Sequence, residues 1–357
     1  MRGRPDVKTL PPARIASGIA LALAAALALA FAGCGAGGAA PQRPETAQLI
    51  DEAFAALFPA AWARLGTLPE AAPQRLGPAP KGAADAPAAP ISLQSIAPAV
   101  DRLLARLPRE GAADDGKSKT AAKAIIASPL AAERLIAAAD KAGVGLPPLV
   151  VPFASGFGLS GGTVREVGYG YEAAYAAMGR RAAAAVKKLP VKDGVRPVCG
   201  IVFQENFMRG GDALAAFSAA FSAASGQSPI IVAFDARTAV DPTGAARAAV
   251  AELLGDAAAK PPAPAKPAVG VLVLAIDNAS IADEAAAKAK GMEVLADASS
   301  WGERKPSARL YRAAIRGDET GLARAAAGLA RRLASGRDDP APSLVQLRFT
   351  SVFPKIF

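Results

Sequence analysis

The chain has 357 residues and sets 41 Lys and Arg against 31 Asp and Glu, a formal charge of +10, yet it contains no histidine and only two cysteines. The missing imidazole removes the base of a Ser-His-acid triad and the commonest metal ligand, and two distant cysteines cannot replace it, so no metal or cofactor is expected. The basic residues are dispersed, with nothing denser than pairs such as Arg180-Arg181 and Lys187-Lys188 and no interleaved aromatics, which argues against a nucleic-acid partner.

Arg2, Arg4, Lys8 and Arg14 form a positive flank ahead of the uncharged apolar stretch Ile15 to Ala32, which has the anatomy of an export signal over residues 1–33. A permanent membrane span needs about 20 apolar residues, so an uncut anchor is the secondary reading. Phe31-Ala32-Gly33-Cys34 resembles the bacterial lipobox, in which a small residue precedes a cysteine that receives diacylglycerol and becomes the mature N-terminus. The resemblance implies lipidation at Cys34 and an extracytoplasmic protein held on a bacterial membrane. Phe31 stands where leucine is usual, and the ordinary alternative is a signal-peptidase site with Cys34 as a spectator. Residues 34–47, rich in Gly, Ala and Pro, read as a tether. Loss of the leader leaves a charge of about +7 and about 320 residues, ample for two lobes. With Cys34 acylated, Cys199 has no disulfide partner, and the fold must rest on its core.

From Glu45 to Leu65 the residues Leu49, Ile50, Phe54, Phe58, Ala61 and Leu65 recur at helical spacing, interrupted by Pro59, which predicts one or two short helices. Residues 66–90 lose periodicity and read as a loop; Ile91 to Ile96 is a weak strand candidate, and Asp114-Asp115-Gly116 marks a turn. From Lys123 onward short apolar runs alternate with amphipathic helices. The runs are Ala124–Ala127, Leu149–Phe153, Val198–Phe203, Ile230–Phe234, Val269–Ile276, Val294–Ala296 and Leu344–Phe349. Helical faces appear between them, as in Tyr171–Leu189 and Asp212–Ser225, and a long helical pattern over Ser307–Ser335 is split at Gly317-Asp318. Strands without polar alternation, separated by helices, predict parallel sheets covered on both faces: the doubly wound α/β class.

This order of elements is similar to the type I periplasmic binding-protein fold, the two-lobed family of sugar receptors and of lactose-repressor-like ligand domains. The resemblance covers residues 123–357. It implies two doubly wound lobes, with Lys123–Pro152 closing the first pass through the N-lobe and Gly168–Leu189 opening the C-lobe. It also matches Phe207–Phe221 to the helix after the first C-lobe strand, with Arg209 ahead of it. The expected division is an N-lobe of 48–165, completed by 336–357, and a C-lobe with return helices of 166–335. Residues 45–122 lack the opening strand-helix units, so the N-lobe is expected to be reduced.

In open parallel sheets ligands bind beyond the carboxyl ends of the strands. The residues there are polar, and they give a candidate ligand set in which Ser128, Phe153 and Ser155 face Asn206, Phe207, Asp235, Arg237, Asp277, Asn278 and Trp301. Such Asp, Asn and Arg groups suit a polyhydroxylated or zwitterionic ligand, and Trp301 or Phe207 offers a stacking face. The competing reading is that Asp and Ser after a strand cap the next helix. Gly156, Gly158 and Gly161 match the letters of a dinucleotide fingerprint, but no helix opens at Gly161, and Gly168 and Gly170 prolong the loop, so a glycine-rich hinge between the lobes is expected. Ser160 within Gly158–Gly162 sits in a formal nucleophile elbow that no histidine can serve. The expectation is therefore not an enzyme but a lipid-anchored solute-binding protein that closes over a small polar ligand, such as a sugar or nucleoside, for an ABC-type permease. The alternative is a lipoprotein that uses the same scaffold as a structural or protein-interaction module.

Overall fold

The computed structural model describes residues 46–67, 90–107, 122–191, 194–255, 268–337 and 341–352; the leader, Cys34, nearly all of the tether and most of the 66–90 loop lie outside them. The described residues form one compact unit built on two sheets. The first comprises β1 (Thr46–Leu49), β2 (Ala124–Ala127), β3 (Leu149–Pro152), β4 (Val164–Gly170) and β10 (Ser343–Gln346), paired in that order and all parallel. The second runs β11 (Arg348–Ser351), β9 (Ala313–Arg316), β8 (Glu293–Ala298), β7 (Val269–Ala275), β5 (Val198–Glu205) and β6 (Ile230–Asp235), and only β11 is antiparallel. Two α/β lobes with helix-covered parallel sheets are what the apolar runs predict.

Helices α1 (Glu52–Leu57), α2 (Pro59–Thr67), α3 (Ile96–Leu104) and α4 (Pro129–Ala142) belong to the first lobe. Helices α5 (Glu172–Val186), α6 (Gly211–Ser225), α7 (Pro242–Leu254) and α8 (Ala279–Lys288) belong to the second. Helix α9 (Glu319–Ala334) returns to pack on α2, β2, β3, β4 and β10. Its boundaries follow from capping chemistry: the Asp318 side chain accepts the Gly321 amide at its start, and Arg331 and Arg332 complement the dipole at its end. Leu322, Ala326, Leu329 and Leu333 form its buried stripe, and each buried leucine contributes roughly 1.5–3 kcal/mol.

Several expectations are corrected. Thr46–Leu49 is a strand, not the start of a helix; its four residues are buried and pair with β2, so tertiary pairing overrides a helical spacing. Beside it the doubly wound pattern shrinks to a single bridge between Asp51 and Ile91, with the Ile91 amide donating to the Ile50 carbonyl at 2.8 Å. Residues 164–170, read as a glycine-rich loop, are strand β4. Residues 313–316, read as helix, are strand β9, because their backbone pairs with β8 on one side and β11 on the other, which overrides the helical spacing. The single strand expected over Leu344–Phe349 divides at buried Leu347 into β10 in one sheet and β11 in the other.

The chain passes between the sheets at Gly170-Tyr171, at Gly317-Asp318 and at Leu347. These crossings lie side by side: the Leu347 amide donates to the Gly170 carbonyl at 3.2 Å, and a Cβ on Gly317 would lie 2.6 Å from the Ser299 carbonyl oxygen. The interlobe crossings therefore lie here and not at the glycines expected to form a hinge, where Ala154–Phe157 with Gly158 make a tight turn after β3. One apolar cluster continues across the crossings, from Phe54 and Phe58 through Phe153, Tyr169, Tyr171 and Tyr175 to Phe203 and Phe217.

Candidate functional site

A cavity of about 370 Å³ opens at the crossings. Its walls come from β4 and β10 on one side and from the loop after β5 and the first turn of α6 on the other. Phe153 and Phe207 meet edge to face with centroids 5.8 Å apart, and Phe157 packs on Phe207 at 4.9 Å. Phe153 holds a left-handed backbone, φ 55°, alone among the described non-glycine residues, and its ring is fixed between Phe58 at 5.4 Å and Tyr169 at 5.5 Å. At Gly156 the two lobes come so close that a Cβ would lie 1.9 Å from the Phe207 carbonyl oxygen.

Next to this cavity, the carboxyl ends of β5, β7 and β8 carry a polar cluster built around Arg209. Its side chain is 0% exposed; Nη2 bonds Asp277 Oδ1 and Nε faces Asp297 Oδ2 at 3.1 Å, while the guanidinium lies 5.9 Å from the Phe203 ring centroid. Burial works against its charge, but Asp297, Tyr175 and Asp277 hold its pKa well above the ordinary arginine value. Asn206 donates to Asp277 at 2.7 Å and accepts from the Arg209 amide at 2.7 Å; Gln204 donates to Asp277 at 2.9 Å. The Tyr175 hydroxyl donates to Asp297 at 2.7 Å, and the Tyr171 and Ser299 hydroxyls are 2.9 Å apart. The cluster sets one guanidinium against two carboxylates, Asp297 fully buried and Asp277 30% exposed, and Arg209 Nη1 has no hydrogen-bond partner.

The expected site residues are dispersed by the fold. Phe153, Ser155 and Phe207 line the cavity, with the Ser155 hydroxyl donating to Glu166 at 2.8 Å. Asn206 and Asp277 belong to the Arg209 cluster. Ser128 is buried at the end of β2, where its hydroxyl donates to the Asp51 carboxylate and accepts the Asp51 amide. Asp235 and Arg237 pair with each other on the rim of edge strand β6, where the hydrogen bonds from Arg237 hold the Asp235 carboxyl below its usual range. Asn278 caps α8 through the Ser280 amide. Trp301, 7% exposed, donates through Nε1 to the Ile276 carbonyl and packs on Tyr311 at 5.6 Å, so it is a core residue and offers no stacking face. The cavity also uses Glu166, Tyr171, Glu172, Asp212 and Gln346, which the sequence reading did not select. Glu166 and its glycine neighbours alternate along β4, a signal that the glycines themselves hide.

All four tyrosines of the chain sit around these crossings or against Trp301, and each phenol is pushed up from its ordinary pKa near 10. Burial is the first cause throughout, reinforced by Glu319 at Tyr169, by Asp297 at Tyr171 and Tyr175, and by the hydrogen bond to Asp283 at Tyr311. Below about pH 10 folded and unfolded chains both keep these protons; above it the unfolded chain loses protons that the folded chain retains, so stability falls as pH rises. In an alkaline titration the phenolate absorbance is expected to rise in one step above about pH 10, together with the loss of circular dichroism. A gradual rise near pH 10 with the fold intact would contradict this burial.

No protein-family model matches the chain, and no curated protein matches it in sequence. Its fold is similar to that of solved structures. A probable LacI family transcriptional regulator from Corynebacterium glutamicum superposes with a TM-score of 0.50 at 14% identity, covering 85% of this chain and 96% of that one. An ABC sugar transporter subunit from Rhodobacter sphaeroides gives 0.48 at 13% identity, with 87% and 99% covered. A 5-methylthioribose transporter solute binding protein from Thermotoga lettingae gives 0.45 at 14% identity, with 87% and 86% covered. The fold is of the type I periplasmic-binding-protein kind. Among the described residues no helix is long and apolar enough to cross a membrane, and no cluster of His, Cys, Asp and Glu is arranged to hold a metal ion.

Proposed function

We propose that this protein is an extracytoplasmic solute-binding receptor, anchored through a lipid on Cys34, that holds a small polar ligand between its lobes and presents it to an ABC-type permease. The observation that carries this reading is the cavity of about 370 Å³, walled by both lobes where the chain crosses between them. A site in that position senses closure, because a ligand touching both walls binds the closed arrangement better than the open one. Its size suits a small metabolite.

The second reading, a structural or protein-interaction module on the same scaffold, draws on the Arg209 cluster, whose single guanidinium is already engaged by two carboxylates of the same lobe. A thermal-shift screen of the full chain against sugars, nucleosides, amino acids and amines separates the two. A ligand at 100 times its Kd is expected to stabilise the receptor by about 2.7 kcal/mol. Silence across every class would favour the module. Growth with a labelled fatty acid tests the anchor: label in the wild-type chain but not in Cys34→Ser is expected, and an unlabelled wild type would refute lipidation.

A further inference from the structure

Resting on the receptor reading above, we infer that the cavity takes an organic cation: a small ammonium group carried on an apolar body. Among the described residues, the charged side chains lining it are Glu166, Glu172 and Asp212, all carboxylates, with no Lys or Arg. Its apolar wall includes four aromatic residues, Phe153, Tyr169, Tyr171 and Phe207, beside Met208 and Leu344. An anion placed there would meet the carboxylates of β4, α5 and α6 in a concave site where water screens poorly.

A neutral polyol fits little better. The side chains that read a polyol by paired donors and acceptors, Asn206, Arg209 and Asp277, bond one another and lie outside the lining. Of the neutral polar groups in the wall, the Ser155 hydroxyl already serves Glu166 and the Tyr171 hydroxyl pairs with Ser299, which leaves the buried Tyr169 hydroxyl and the Gln346 amide, too few to read the several hydroxyls of a polyol. An ammonium ion gains from the carboxylates by charge-assisted hydrogen bonds and from the ring faces by cation–π attraction. Glu172 and Asp212 stand in the first turns of α5 and α6, where carboxylates also complement the helix dipole. Glu166 has no helix to serve. It sits within β4, and Gly168 and Gly170 follow it along the same wall; a Cβ on Gly170 would lie 2.5 Å from Gln346 Nε2, so the missing side chains leave that wall open.

The test is calorimetric titration of the full chain in detergent with benzylamine, its neutral counterpart benzyl alcohol, and D-ribose. Benzylamine is expected to bind at least about tenfold more tightly than benzyl alcohol, with the margin shrinking at high salt. Glu166→Gln should bring the two within about threefold of each other, and Gln346→Glu, which adds a carboxylate, should tighten benzylamine about threefold, a gain that misfolding cannot produce. Equal binding of benzylamine and benzyl alcohol, or a Glu166→Gln variant that keeps the full margin, overturns the cation assignment. Binding of D-ribose without benzylamine overturns it too but leaves the receptor reading standing. If none of the three probes binds, the cation assignment falls, and the receptor reading is then decided by the broad thermal-shift screen.

Discussion

Replacing Arg209 by methionine is expected to destabilise the protein by about 3–5 kcal/mol, because it strands Asp297, whose side chain is 0% exposed, without its cation. At about 2.1 cal/mol/K of unfolding entropy per residue, a folded body of roughly 300 residues converts that loss into a fall in Tm of roughly 5–8 °C. Methionine replaces the apolar stem of the arginine but not its guanidinium, so the loss is mainly that of charge pairing with a smaller packing term. Arg209→Lys should recover little of it: one ammonium group cannot bridge Asp277 and Asp297 as the forked guanidinium does, and it sits less well over the Phe203 ring. Removing both partners, with Arg209→Met and Asp297→Asn together, is expected to cost less than Arg209→Met alone, since no buried charge is then left unpaired. Differential scanning calorimetry of the three variants reads this directly. A single mutant that melts within 2 °C of the parent, roughly 1 kcal/mol on this scale, would show that the cluster is solvated after all.

This cluster also marks where sequence reasoning stops. Strands β2, β3, β5, β7 and β8 were legible because a strand covered on both faces is apolar along its length, and the runs from Ala124, Leu149, Val198, Val269 and Val294 are; edge strand β6 was legible from the apolar run at Ile230 although Ile231 is exposed. Strand β1 was not, since Thr46 and Gln48 are buried polar residues that break the run. Strand β4 was concealed by Gly168 and Gly170, whose missing side chains make room for the cavity. The same limit applies to the site. A polar residue after a strand can cap a helix, as Asn278 does, pair on the surface, as Asp235 does, or vanish into a charge network, as Asp277 partly does; only the position of its partner distinguishes these. Trp301 had two equally good roles until the Ile276 carbonyl claimed its indole N–H.

Gly156→Ala is expected to force the lobes apart. The added Cβ would lie 1.9 Å from the Phe207 carbonyl oxygen and 2.8 Å from its Cα, and these are backbone atoms that cannot swing aside as a side-chain tip can. The turn itself has little freedom to retreat, because Phe153 is wedged between Phe58 and Tyr169 and the Gly156 amide is bonded to the Phe153 carbonyl at 3.0 Å. The strain therefore falls on the contact between the lobes and on the Phe153–Phe207 and Phe157–Phe207 ring pairs, each contributing about 0.5–1.5 kcal/mol beyond simple burial. Together with the overpacking penalty of about 1–3 kcal/mol, the loss should lower Tm by several degrees and raise the radius of gyration in small-angle scattering as the crevice opens. Gly158→Ala supplies the control: φ there is 69°, so a methyl group brings backbone strain of about 1–2 kcal/mol, but it meets nothing within 4 Å. The control should lose stability without changing its dimensions. If both variants scatter like the parent, Gly156 does not set how closely the lobes approach, and a ligand in the cavity would have no closed state of this kind to select.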